Sequence, residues 1–236
     1  MQQSMRAAIL LAALVLGLAG CAVAPTETPI GLPNRPMAPA SDSKSFQDIR
    51  SRVEPVAERF CRATPGLRNC DFIIRLDPRT DRPPNAFQTL TSDNRPLLIV
   101  NQTLIDQLDN ADEIAFVISH EAAHHIQDHI QKQQQTSYNV ALKAGLAAAA
   151  LGASPQVISE VQRAGAFTGS RIFSKSFELQ ADSMGAEIAY YAGYDPVHGA
   201  AYFTRAKDPG NVYPGTHPPN ADRIKAVRDT MARLRN

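Results

Sequence analysis

Apolar residues recur at helical spacing along most of this chain and at strand spacing only in three short runs between residues 72 and 101. Phe46, Ile49, Val53, Val56 and Phe60 mark one helix face, with Ser43 or Ser45 placed to cap it. Phe72-Ile73-Ile74-Arg75-Leu76 reads as a strand stopped by Asp77-Pro78, and Asn85–Leu90 and Pro96–Asn101 read as two more. From there helices dominate. Asn101 or Asp106 starts one, Asp109 to Gln134 holds a longer one, and Phe177 to Ala192 holds another that ends at the turn Gly193-Tyr194-Asp195-Pro196. The last runs from about Asn220, with Ile224, Val227, Met231 and Leu234 on one face. Val140 to Gly152 is Ala-rich and interrupted by Lys143 and Gly145. It is too short to span a bilayer and reads as a core helix or as a lid over a cleft, which could also meet lipid or a client protein. The pattern predicts an α+β fold, mostly helical, with a small sheet.

The first residues add an address rather than a fold. Arg6 precedes an apolar run, Ala7 to Ala19, which suits a signal peptide over residues 1–20. The run ends in Leu18-Ala19-Gly20-Cys21, which resembles a bacterial lipobox with Cys21 as the lipidated residue. By the same resemblance, Ala22 favours the outer membrane, on the periplasmic side. Residues 21–45, with Pro25, Pro29, Pro33, Pro36 and Pro39, read as an extended tether. In an exported chain the pair Cys61 and Cys70 reads as a disulfide, contributing about 2–3 kcal/mol on the chain-entropy account. The 236 residues are 44% hydrophobic and 20% charged with a net charge of +1, so one globular domain over residues 46–236 is expected. The absence of a concentrated basic face argues against nucleic acid as a partner.

His120-Glu121-Ala122-Ala123-His124 carries the chemistry. Positions i and i+4 of a helix lie one turn apart on one face, so both imidazoles can reach one ion. Glu121 projects beside them, placed to take a proton from a metal-activated water. Catalytic zinc takes three protein ligands and keeps one position open. A third histidine six residues after the second, with a glycine between, is ruled out, because Ile130 and Gln127 stand there. A carboxylate on a second helix is the other common solution, and Glu178 has the fitting neighbourhood, Glu178-Leu179-Gln180-Ala181-Asp182. Asp182, one turn on, is expected to accept the free N–H of a metal-bound imidazole, His124 in particular. Small Ala181 and Gly185 predict a close approach of the two helices. Glu160 and Glu187 lack a carboxylate one turn on.

His-Glu-x-x-His, then Glu-x-x-x-Asp-x-x-Gly, then Gly193-Tyr194-Asp195-Pro196, is similar to the gluzincin peptidases related to HtpX and the CAAX prenyl endopeptidases. The likeness runs from Phe46 nearly to the C-terminus. Asn85-Ala86-Phe87 resembles the family's strand before the active-site helix, and Thr216-His217-Pro218 with Arg223 resembles its late segment. His129 falls where the family carries a structural histidine. The chain departs from the family at Gln88 to Asn94, which lacks glycines, and at Lys175, where arginine is frequent. The resemblance implies a zincin-type metallopeptidase domain with the small sheet beside the active-site helix. It implies one Zn2+ per chain on His120, His124 and Glu178, and polypeptide substrates.

Zinc brings the pKa of a bound water to about 7, and Glu121 would take that proton and hand it to the leaving amine. His217 is the candidate extra active-site group, as an oxyanion donor or as a latch on the open metal position, with Arg223 as its partner. His125 and His129 lie off the ligand face by helix geometry and read as solvated or structural, and His198 has no partner in view. Pro96–Asn101 is a candidate exposed edge for extended substrate. The leading function is an endopeptidase acting on misfolded or misassembled cell-envelope proteins from a lipid-anchored position. The alternative is a non-proteolytic or latched zinc-containing outer-membrane assembly factor or chaperone.

Overall fold

The computed structural model describes residues 36–67, 69–171, 174–211 and 217–235. The signal segment, Cys21, Pro25, Pro29, Pro33 and Thr216 lie outside the described residues. Helix α1 (Phe46–Ala63) begins at Ser45, whose hydroxyl accepts from the Asp48 N–H, and it buries Ile49, Val53, Val56, Ala57 and Phe60. Its last turn carries Cys61, joined by a disulfide to Cys70 across a Cα–Cα distance of 5.5 Å. The end of the segment read as a tether does not hang free. The Met37 N–H donates to Tyr191 O and the Ala40 N–H to Gly193 O, both at 2.9 Å, and Arg52 donates to Ala38 O.

Strands β1 (Ile73–Asp77), β2 (Ala86–Leu90) and β3 (Pro96–Asn101) form one sheet in the order β1-β3-β2. β1 runs parallel to β3 with Ile73 opposite Leu97, and β2 runs antiparallel with Phe87 opposite Ile99. The expectation that Pro96–Asn101 is an exposed edge is therefore corrected: it is the central strand. Its unbroken run Leu97-Leu98-Ile99-Val100 is the pattern of a strand covered on both faces, and Leu98 and Val100 are fully buried. The edge beside the long helices is β2. Asn101 ties the sheet down by capping the short helix α2 (Gln102–Ile105), while its amide donates to Pro83 O and accepts from the Asn85 N–H.

Helix α3 (Ala111–Ile126) starts at Asn110, whose side chain accepts from the Glu113 N–H. Ile114, Ala115, Ile118, Ala122 and Ala123 are fully buried, so α3 is the apolar central helix of the domain. Glu113, 1% exposed, is matched by a two-pronged ion pair with Arg205 at 2.9 and 2.8 Å. The single helix expected over Asp109–Gln134 is broken. Asp128 adopts a left-handed conformation at φ 57°, and a new helix, α4 (His129–Ala150), sets off from it. Aspartate is one of the few residue types that enters this region cheaply.

Helix α5 (Pro155–Gly169) returns along α4 to form a hairpin. The apolar pattern does not mark it, although Ser154-Pro155 is a helix-start signal. The outer half of α4 is Val140–Ala150, and Leu142, Leu146 and Leu151 are exposed there, so the core-helix reading fails. None of residues 140–152 lines the cleft at the motif, so the lid reading fails too.

Helix α6 (Ser174–Tyr191) packs antiparallel on α3 and is followed by α7 (Pro196–Gly199), a 3-10 turn (Ala200–Thr204) and α8 (Asn220–Leu234). The α3–α6 contact is as close as the small residues predict: a Cβ on Gly185 would lie 2.9 Å from the His120 nitrogen and 3.0 Å from its Cα. Those are backbone atoms of a buried helix and cannot swing aside. Gly185→Ala is expected to push α6 off α3 at a cost of about 1–3 kcal/mol, read as a lower denaturation midpoint together with weaker metal retention. An unchanged midpoint would show that the helices are not in backbone contact there.

Candidate metal centre

α3 presents His120, Glu121 and His124 on one side, and α6 brings Glu178 up to them. The Nε2 atoms of His120 and His124 are 3.0 Å apart. Glu178 Oε2 lies 3.6 Å from His120 Nε2, and Oε1 lies 3.4 Å from His124 Nε2. Among the described residues these three form the one cluster able to hold a metal ion. The donor set suits zinc, and so does its size: ligands about 2.0–2.1 Å from a tetrahedral ion stand about 3.3 Å from one another. The edges of this triangle fall on either side of that value.

The other faces of the two imidazoles are held as well. His120 Nδ1 donates to Asp182 Oδ1 at 2.9 Å. The expectation that Asp182 serves His124 is corrected, and the reason is direction. α6 runs antiparallel to α3, so one turn beyond Glu178 it faces the earlier histidine of the motif. Arg223, from α8, grips the same fully buried carboxylate through Nε at 2.8 Å and Nη2 at 2.7 Å. Its guanidinium also lies 3.6 Å from Glu178 Oε2 and 4.0 Å over the Phe203 ring. Arg223 is thus a partner of Asp182 rather than of His217.

His124 is held by a group that helix periodicity had placed elsewhere. The break at Asp128 swings His129 back, so that its Nδ1 sits 3.0 Å from His124 Nδ1. Its Nε2 faces Gln180 Oε1 at 3.3 Å, and its ring stacks on Phe177 at 4.3 Å. Burial, followed by the neighbouring His124, lowers the His129 pKa to about 4. His129 is therefore neutral, with one ring proton. Gln180 Oε1 takes that proton as an Nε2–H bond, so His129 Nδ1 accepts from His124 Nδ1–H. This leaves the lone pair of His124 on Nε2, towards the metal position.

The carboxylates are kept ionised. Burial raises Glu178, but the close contacts with His124 and His217 and the charges of His120 and Arg223 hold it well below the usual carboxylate range. Burial likewise raises Asp182, and its bonds to His120 and Arg223 outweigh this and lower it. Burial lowers His120, and the bond to Asp182 reverses that, leaving it raised.

His217 reaches the cluster with Nδ1 3.1 Å from Glu178 Oε2. It lines a cleft of about 440 Å³ with Glu121, Asn85, Ala86, Phe116 and Tyr202. A second hollow on the far side of Glu121 is bounded by Ala86, Phe87, Gln88, His124 and Phe177. Two other histidines are accounted for. His125 meets Asn69 O at 2.9 Å and Phe72 edge-on, as a structural residue. His198, for which the sequence offered no partner, has one in Asp112, 2.8 Å away at the start of α3. Lys175 bonds Asn211 at 2.7 Å, away from the metal cluster.

Two histidines and a glutamate converging from antiparallel helices, with a spare carboxylate next to the first, are the working parts of a metal-dependent peptidase, and the mostly helical α+β frame is of the zincin type. The chain belongs to peptidase family M48, a family of zinc-dependent metallopeptidases, whose family model matches residues 43–231. No curated protein matches it.

Metal analysis of the purified protein is expected to find about one zinc per chain in wild type and distinctly less in Glu178→Ala, since structural and catalytic sites lose affinity with a ligand. Equal metal content in the two would remove Glu178 from the site. His129→Leu keeps all three donors but frees the His124 ring, and should weaken zinc binding by about 10–100-fold in a chelator competition. Unchanged affinity would make His129 packing only.

Proposed function

We propose that this chain is a zinc endopeptidase in which His120, His124 and Glu178 hold the metal, Glu121 is the general base, and His217 assists at the cleft. The observation that carries the reading is the convergence of His120, His124 and Glu178 on one point with Glu121 beside it on the cleft wall. Zinc held there supplies Lewis acidity, polarising a scissile carbonyl and acidifying a water.

The chain's own residues do the rest. The Glu121 carboxylate takes a proton from the attacking water and delivers it to the departing amide nitrogen, so one group serves as base and then acid. His217, its Nδ1 on Glu178, carries a second N–H on Nε2 only as the imidazolium, and in that form it can donate to the oxygen of the tetrahedral adduct. Asp182 and Arg223 fix the His120 ring, and His129 with Gln180 fixes the His124 ring. The outer edge of β2 borders the hollows on both sides of Glu121, and it supports pairing of an extended polypeptide as an added strand. Open ground on either side of the general base suits cleavage within a chain rather than at its end.

The Leu18-Ala19-Gly20-Cys21 run supports export and lipid anchoring at Cys21, on the periplasmic side of the envelope and at the outer membrane. Misfolded or misassembled envelope proteins are then the substrates within reach. One observation favours a second, latched state: His217 Nδ1 lies 3.1 Å from Oε2 of the metal-site carboxylate Glu178. In that state the protein would bind clients without cutting them.

Glu121→Gln is near-isosteric and leaves the three donors in place. It should keep one zinc per chain and lower kcat on an unfolded protein substrate by about 100-fold or more. If cleavage continues at the wild-type rate, Glu121 is not the base. If client-dependent phenotypes survive in the cell while cleavage is lost, the binding role dominates.

A further inference from the structure

The α4–α5 hairpin is built inside out for a structure in water. Its two helices meet through small residues: a Cβ on Gly165 would lie 3.0 Å from Ala141 Cα, and one on Gly169 would lie 2.7 Å from Ser137 Cα. Gly165 and Gly169 are the buried residues of α5, and Gly145 joins His129 as the buried residues of α4. Large apolar side chains are left outside, with Leu146 62%, Leu151 89% and Val157 45% exposed. Glycine at every fourth position with bulky apolar groups turned outward is how helices pair when the surrounding medium is itself apolar.

Polarity is graded along the arm. Its root carries Gln131, Gln133, Gln134 and Gln135, and its outer end carries Leu142, Leu146, the four alanines 147–150 and Leu151. Residues 129–159 include no aspartate or glutamate, while Lys132 and Lys143 are basic. Lys143 is exposed and has no ion pair among the described residues.

The turn at the tip keeps its own hydrogen bonds. Gly152, at φ 76°, and Ala153 return their N–H groups to Ala149 O and Ala148 O, and Ser154 caps α5 through the Val157 N–H. A tip with so few bare backbone groups can leave water cheaply. No helix among the described residues is long and apolar enough to cross a membrane, so the arm can dip into a bilayer but not span it.

We propose that the outer end of this hairpin seats in the headgroup–acyl boundary of an anionic lipid surface. Leu146, Leu151 and Val157 enter the apolar layer, and Lys143 stays at headgroup level. Lys143 lies eight residues before Leu151, about 12 Å along the helix. With the arm tilted from the bilayer normal, that interval brings the tip to the depth of about 5–10 Å to which an amphipathic element enters, and the lysine stem snorkels to the surface. An anionic surface fits an arm in which Lys132, Lys143 and Arg163 outnumber the single acidic residue, Glu160. The contact does not depend on the metal chemistry, and a lipid at Cys21 would bring the arm within reach of the surface.

The chain contains no tryptophan, so a single introduced one reports its own surroundings. Full-length Leu151→Trp and, as a control at the root, Gln134→Trp are mixed with vesicles of phosphatidylglycerol and phosphatidylethanolamine. The tryptophan at 151 should shift its emission to shorter wavelength and be quenched by bromine on the acyl chains. The tryptophan at 134 should do neither. Adding Leu146→Glu to Leu151→Trp should cancel the shift and weaken vesicle partition about tenfold, the loss of one buried leucine. Both positions are exposed, and helix content by circular dichroism checks that each variant folds. If the chain floats with vesicles while the tryptophan at 151 stays open to aqueous iodide, the N-terminus alone anchors the protein and the proposal fails. It also fails if that tryptophan responds to a reduced, unfolded polypeptide but not to vesicles, because the arm would then be a client-docking surface.

Discussion

Glu178 reaches two imidazoles on another helix because α3 and α6 lie in backbone contact where Gly185 faces His120. A side chain there would part the helices, and the three donor atoms would no longer share a point. The approach also buries two carboxylates, Glu178 and Asp182, whose ionised forms need compensation in an apolar setting. His120 and Arg223 provide it, with Asp182 Oδ1 shared between His120 Nδ1 at 2.9 Å and Arg223 Nη2 at 2.7 Å. α8 is thereby tied to the centre by charge as well as by Val227 and Met231 in the core. Packing, ligand geometry and electrostatics meet at one contact.

What the sequence displayed well was periodicity. His120 and His124 at i and i+4, Glu121 between them, and Glu178 with small residues one turn on could be read from helix geometry alone. The faces of α1 and α8 were legible in the same way. Periodicity has no direction, however. The same spacing puts Asp182 near His124 if the helices run parallel and near His120 if they run antiparallel, and only the structure decides. Periodicity also assumes that a helix continues. His129 looked remote from the metal face because nothing in Gln127-Asp128-His129 announces a left-handed residue, yet that one backbone angle makes His129 a neighbour of His124. Strand order was only partly legible: the unbroken run Leu97–Val100 marks a covered strand, but it does not say which strand lies on each side of it. The Ser154-Pro155 signal for α5 stands in the sequence, but the residues that this helix buries are Gly165 and Gly169, which no hydrophobic pattern marks.

The relay behind His124 shows how a neutral histidine can be more useful than a charged one. At a pKa of about 4, His129 does not compete with the metal for charge. It offers one acceptor nitrogen, and Gln180 determines which nitrogen that is. On the other side, Asp182 offers an anion to His120. The two ligands are thus oriented by different means, one by a carboxylate and one by a neutral chain ending at an amide. A carboxylate behind each imidazole would have placed a third negative group in the site beside Glu178 and Asp182. The neutral relay gives orientation without that burden.

Chain order links the arm to the centre. The hairpin is inserted between the helix that supplies the two histidines and the helix that supplies the glutamate, so its base is the point at which both halves of the site are joined. His129 is the first residue of α4 and also the brace of His124. Gln133 donates to Ser170 O at 2.8 Å, closing the base a few residues before α6 begins. The close approach of Gly169 to Ser137 holds the same level. A root fixed in this way orients His129 whether or not the tip is engaged. This explains how an arm with outward-facing leucines can be tolerated: its stability comes from the glycine contacts and the closed base, and the apolar tip contributes nothing to the metal centre. The two ends can therefore carry different demands, rigidity beside the ligands and an exposed apolar surface at the turn.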